Sequence, residues 1–218
     1  MSPIPPETVV VVHGLWMSGL EAGLLRRRLS DDHGYPTVLF HYATFDAGFG
    51  ANADRLRDTL DTIESPRVHL VGHSMGGVMA LAALRGRPFG KPGRVVVLGS
   101  ALNGSMAAGR LAGLGAFGAA LLGQTGREGL LVKVLEDYQP DRDVGSIAGT
   151  MGVGAGLLLG GLPEPNDGTV AVVETQAPWL KDHLSYHVTH TGLLISPEVA
   201  HQTAHFLRDG VFKKGTGP

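Results

Sequence analysis

Apolar positions along this chain fall into short continuous runs, separated by longer stretches in which apolar residues recur three and four apart. The runs Thr8 to Val12, Thr37 to Tyr42, Val68 to Gly72, Arg94 to Leu98, Val144 to Ala148 and Ser185 to Val188 are rich in β-branched residues. Most lack the alternation of a half-solvated strand, so they predict parallel strands covered on both faces. Ser18 with Glu21 three residues on reads as a capping box opening a helix that carries Leu20, Leu24, Leu25 and Leu29. Residues 53 to 63 place Leu56, Leu60 and Ile63 on one helical face, and Met75 to Leu84 is an Ala-rich helix. The last helix has Ser196 as N-cap, Pro197 in its first turn, Val199, Thr203, Phe206 and Leu207 facing inward, and Gly210 as its stop.

Alternating strand and helix units predict an α/β fold: a mostly parallel central sheet of about six strands, flanked by helices on both faces and joined by right-handed crossovers. At 218 residues the chain suits a single domain spanning 1–218. Ligand sites in such sheets lie beyond the carboxyl ends of the strands. Val12-His13-Gly14, Gly72-His73-Ser74 and the segment after Val188 all fall there.

Composition narrows the function. Lys and Arg number 18 against 20 Asp and Glu, a net charge of −2. The longest basic cluster, Arg26-Arg27-Arg28, fits one face of a helix, so nucleic-acid binding is not expected. The absence of cysteine excludes disulfides and thiolate metal sites and suits a reducing compartment. The opening MSPIPPETVVVVHG has no basic segment leading into an apolar stretch with a small-residue cleavage site, so the cytoplasm is the expected location. The apolar tracts Met106 to Leu122 and Met151 to Leu162 are interrupted by glycines; the first carries Arg110 and the second is too short to span a bilayer. No transmembrane helix is predicted.

The chemistry concentrates in Arg67 to Gly77, RVHLVGHSMGG, where an apolar run breaks at a glycine and sets Ser74 between Gly72 and Gly76. A hydroxyl is a weak nucleophile and needs a sharp turn that opens it to substrate and to a base. With 33 glycines in the chain, about 0.2 such matches are expected by chance. The flanking strand and helix are what give this one meaning.

A base is expected at His190, in the short polar loop Thr189-His190-Thr191-Gly192 between the last strand and the last helix. The acid that orients it is expected at Asp167, in the turn Pro165-Asn166-Asp167-Gly168, where the carboxylate would lie at the surface of the scaffold. Asp143, Glu164, Glu174 and Asp182 are the alternatives, Asp143 first among them. Nucleophile, acid and histidine then follow the chain order of Ser-Asp-His hydrolases built on α/β sheets. Oxyanion donors are expected from the backbone N–H of Met75, at a helix start, and of Leu15, in the loop after the first strand. Leu15 and Trp16 are also candidate substrate contacts.

Other signals carry less. Gly113, Gly115 and Gly118 match a dinucleotide-binding pattern, but no strand precedes them. His183, His187 and His190 have a zinc-like spacing without a completing ligand, and His201 and His205 fall on the polar face of the last helix. No cofactor and no metal are expected.

With these residues in view, the chain resembles the α/β-hydrolase superfamily, and within it the small lidless bacterial lipases and esterases. The likeness is specific at VVVVHGLW (9–16), GHSMGG (72–77), NDGTV (166–170) and HTGLL (190–194). It implies hydrolysis of carboxylic esters through an acyl-serine, with Ser74, Asp167 and His190 as nucleophile, acid and base, Leu15 and Met75 at the oxyanion positions, and a small ester with an apolar acyl group as substrate. An acyltransferase or thioesterase on the same residues, and a non-catalytic binder of an apolar ligand, stay open. One departure is a Gly- and Ala-rich insert at about 104–126, which would line the acyl cleft, cap it, or pack on the sheet.

Overall fold

A computed structural model of the chain describes residues 6–45, 47–86, 89–154 and 161–213. Six parallel strands form one sheet in the order β2-β1-β3-β4-β5-β6. They are β1 (Glu7–Val12), β2 (Thr37–Phe40), β3 (Arg67–His73), β4 (Val95–Leu98), β5 (Val144–Gly149) and β6 (Asp182–Tyr186). The chain runs outward from β1 to β2 and then returns to place β3 on the other side of β1, with Val12 opposite Gly72. The order therefore reverses between β1 and β3, and such a reversal opens a crevice at the carboxyl ends of the strands.

Each strand feeds two cores, because successive side chains point to opposite faces. Val10, Val12, Leu70, Val95 and Val97 pack beneath α2 (Phe49–Thr62) and α3 (Met75–Leu84). Val9, Val11, Val71, Val96 and Leu98 pack beneath α1 (Gly23–Asp31) and α7 (Pro197–Asp209), which meet Leu25, Leu29, Val199 and Phe206 there. Burial on both faces is why these strands read as unbroken apolar runs. On the side of α2 and α3 also lie α4 (Met106–Ala112) and α5 (Ala116–Leu130), and a short α6 (Gly192–Ile195) precedes α7. No helix among the described residues is long and apolar enough to cross a membrane.

The predicted α3 spans the same residues, and α7 has the predicted ends: the Ser196 hydroxyl accepts the Val199 N–H at 3.2 Å and Gly210 closes the helix in a left-handed conformation. Elsewhere the elements differ. Strand β2 stops at Phe40, two residues short of the expected end. The last strand lies at Asp182–Tyr186 and not Ser185–Val188. It is a half-buried edge strand, so its register follows pairing with Gly145–Gly149 while β-branched Val188 falls just beyond it. The Ser18–Glu21 pair also differs. Gly19 stands at the N-cap of a 3₁₀ turn, the Glu21 carboxylate accepts the Gly19 N–H at 2.9 Å, and Leu20 is 83% exposed while Leu25 and Leu29 carry the buried face. The Gly- and Ala-rich insert at about 104–126 holds α4 and most of α5, and the GxGxxG glycines fall at their junction. The opening residues Met1 to Pro5 and half of the tract Met151 to Leu162, residues 155–160, lie outside the described residues.

Candidate active site

Ser74 sits at the turn from β3 into α3 with φ 56° and ψ −126°, a backbone conformation that costs a non-glycine residue on the order of 1–3 kcal/mol. Its neighbours explain how the turn closes. A Cβ on Gly72 would stand 2.4 Å from the Cα of Gly77, and one on Gly76 would stand 2.3 Å from the carbonyl oxygen of His13. Only glycine permits this approach of α3 to β3 and to the end of β1. The Ser74 N–H donates to the carbonyl of Leu98 at 2.8 Å and its carbonyl accepts the Gly77 N–H at 3.1 Å, which ties the bend to the sheet and to the helix.

His190 lies four residues beyond β6, with its Nδ1 2.7 Å from Asp167 Oδ2. The pair is held through backbone as well, since the His190 N–H donates to the Asp167 carbonyl at 2.8 Å. Asp167 is 1% exposed, so the expectation of a carboxylate at the surface is corrected: the turn carries it inward. Its other oxygen, Oδ1, accepts the N–H groups of Thr169 at 2.9 Å and Val170 at 2.7 Å, so the buried charge is fully engaged. Two of the alternative acids are committed elsewhere. Asp143 pairs with Arg94 at 3.2 Å before the amino ends of β4 and β5, and Asp182 accepts the Phe212 N–H at 2.9 Å.

Ser74 and His190 both line one cavity of about 360 Å³, whose walls are mainly apolar. Leu15 and Trp16 line it after β1, Ala107, Ala108 and Leu111 from α4, and Leu122 and Leu130 from α5. Trp16 is 54% exposed, and its indole N–H donates to the Leu121 carbonyl at 2.7 Å, joining the loop after β1 to α5. Met75 is the first residue of α3, where a backbone N–H has no acceptor within the helix. The Trp16 N–H is directed to Thr44 Oγ1 at 3.3 Å.

Three residues shape the site: His13, which the sequence places beside it in a backbone-shaping role, and Tyr42 and Glu174, which the sequence does not single out for it. His13 donates from Nδ1 to the Gly14 carbonyl at 2.9 Å, accepts the Tyr42 N–H at Nε2, and stacks on the Tyr42 ring at 4.3 Å. The Tyr42 hydroxyl returns to the His13 carbonyl at 3.0 Å. Burial lowers the His13 pKa and raises that of Tyr42, so both stay neutral and the loop carrying Leu15 is held by a neutral network. Glu174, weighed in the sequence only as an alternative acid, is a buried carboxylate that accepts the Met106 N–H at 2.7 Å and the Ala171 N–H at 2.6 Å. A bulky aromatic two residues past β2 was the only sign of Tyr42, and the long reach of Glu174 left none.

The zinc-like histidines separate: His183 meets Thr175 Oγ1 at 2.9 Å, His187 lies against Thr150, and His190 holds Asp167. Among the described residues no three His, Asp or Glu side chains converge as metal ligands. On the polar face of α7, His201 is exposed and His205 pairs with Asp209 at 3.3 Å.

A reversed parallel sheet with a strained serine at the carboxyl end of β3 defines the α/β-hydrolase class. The model of the alpha/beta hydrolase family matches residues 9–209, and the chain belongs to that family. Solved structures with the same fold include the mature form of the lipase BlEst2 from Bacillus licheniformis, at 21% identity and a TM-score of 0.73 over 95% of this chain and 92% of that one. The metagenomic carboxyl esterase MGS0156 follows at 20% identity and 0.66, over 95% and 76%. A thermophilic esterase from Thermogutta terrifontis has 14% identity and 0.65, over 92% and 89%. Among curated proteins no sequence matches.

Proposed function

We propose that this α/β hydrolase cleaves carboxylic esters through an acyl-serine. His190 takes the Ser74 hydroxyl proton as Oγ attacks the ester carbonyl, the Leu15 and Met75 N–H groups hold the oxyanion, and His190 protonates the leaving alcohol. Water then attacks the acyl-serine with His190 again as base, and the acid product leaves with Ser74 restored. Asp167 holds the His190 tautomer with its proton on Nδ1 and stabilises the imidazolium formed in each half-reaction.

The observation that carries this reading is the 2.7 Å contact of His190 with a buried Asp167, in a residue whose ring shares its cavity with Ser74. The apolar walls from α4 and α5 support an apolar acyl group, and the names of the structural neighbours, lipase and carboxyl esterase, agree with the reaction.

Fluorophosphonate labelling with peptide mapping, followed by p-nitrophenyl esters of increasing acyl length, tests the proposal. The expected result is one covalent adduct on the peptide holding Ser74, none in Ser74→Ala, and a kcat loss on the order of 10⁶ in that variant. Product analysis with added alcohol measures how much acyl group reaches acceptors other than water. An unlabelled wild-type protein that binds apolar ligands without turning over any ester would overturn the reading in favour of a binder.

A further inference from the structure

Glu174 closes a connection between two parts of the site that are far apart in sequence. It lies in a 3₁₀ turn (Val172–Thr175) just past the loop that carries Asp167, and it is 4% exposed. Its Oε1 accepts the N–H of Met106, the first residue of α4, and its Oε2 accepts the N–H of Ala171, at the far end of the Asp167 loop. Its carbonyl also accepts the Leu102 N–H at 2.8 Å, just before α4. Next to these anchors, α4 supplies Ala107, Ala108 and Leu111 to the cavity, and the loop supplies Thr169 and Val170.

We infer that Glu174 is a positioning residue whose single carboxylate clamps the α4 wall of the acyl cavity to the loop holding Asp167. The inference rests on the proposed function, in which that cavity receives the acyl chain. Only a carboxylate does this, because both of its oxygens accept; a carboxamide of the same size would turn an NH₂ toward one of the two N–H groups. A longer acyl chain fills more of the cavity that α4 lines, so on this reading slack in the clamp is felt through acyl length. Burial pushes the Glu174 pKa up, the nearby Asp167 charge adds to this, and the Met106 and Ala171 N–H groups and the Arg110 guanidinium oppose it.

The test compares p-nitrophenyl acetate with p-nitrophenyl octanoate on wild type and Glu174→Gln, with a pH titration of the wild-type amide resonances. In Glu174→Gln the octanoate KM is expected to rise about 5-fold, the effect of one lost hydrogen bond of about 1 kcal/mol, with the acetate KM within about 2-fold of wild type. In wild type the Met106 and Ala171 amides should shift together with one midpoint above 4.5, the usual glutamate value, and the octanoate KM should rise over the same interval. Equal changes for both esters, or amides that titrate separately, would overturn the clamp; the titration decides the matter if the variant does not fold. Failure of the underlying reading looks different: the wild-type protein turns over neither ester.

Discussion

The Nε2–H of His73 donates to the carbonyl oxygen of His190 at 3.0 Å, and the two rings lie 4.6 Å apart. The residue before the serine thus holds the backbone of the imidazole proposed to serve that serine. His73 is fully buried, its pKa is pushed down to about 3 mainly by burial, and its Nδ1 has no partner. It acts as a neutral donor that holds the end of β3 to a loop 117 residues further along the chain.

Replacing His73 by Phe keeps a ring of similar width and removes the donor. Losing a buried hydrogen bond costs about 1–3 kcal/mol. Where that loss appears as misplacement of His190, kcat should fall by about 10-fold or more with KM near wild type. Steady-state kinetics on a short-chain ester check this, and equal changes in kcat and KM would count against it.

Asp167→Asn should lower kcat by up to about 10⁴, the scale for a triad whose histidine is held in the wrong tautomer. Asp143→Asn should leave the rate near wild type, since that carboxylate pairs with Arg94 before the amino ends of the strands. An inactive Asp143→Asn beside an active Asp167→Asn would reverse the assignment of the acid.

The strain at Ser74 makes a prediction about stability. Ser74→Gly removes the Cβ from a positive-φ position and should raise stability by up to about 1 kcal/mol while abolishing turnover. For a chain of this size the change corresponds to about 2–4 °C in Tm, readable by calorimetry. A lower Tm would show that the bend is not strained.

Acid should loosen the fold before the carboxylates titrate. The folded-state pKa is lowered from 6.5 to about 3 for His73 and to about 4 for His69, burial being the main cause in each. Below pH 6.5 the unfolded chain therefore binds protons that the folded protein refuses. Stability is whole above that pH and is lost as pH falls from 6.5 toward 4 and 3. Glu174, with its raised pKa, works in the opposite direction. Urea unfolding at pH 7.5 and 5 should differ by on the order of 4 kcal/mol, about 2 from each histidine, and by about half of that in His73→Phe.

Much of this was legible in the sequence where chemistry is local. Gly72 and Gly76 mark the turn because the backbones meet there, and the Ser196-Pro197 start and Gly210 stop of α7 follow from capping alone. The sequence also selected Asp167 and His190, which the structure brings together at 2.7 Å. It failed where partners are distant or the surface is mixed. Strand β6 lies at the sheet edge and is half-buried, so no apolar run marks it. Leu20 looked like a core position because periodicity counts residue type, whereas the chain there follows a 3₁₀ turn that points it outward. Glu174 reaches Met106 across 68 positions, and no spacing rule spans such a distance.

The order in which the sheet is laid down has a consequence for biosynthesis. Strands β1 and β3, with the serine bend between β3 and α3, come from the first 84 residues, while the imidazole follows β6 near position 190. A nascent chain emerging from the ribosome carries the serine long before any proton acceptor has been synthesised. On the proposed mechanism, hydrolytic competence arrives only as the final strand docks, and a polypeptide halted earlier would be inert.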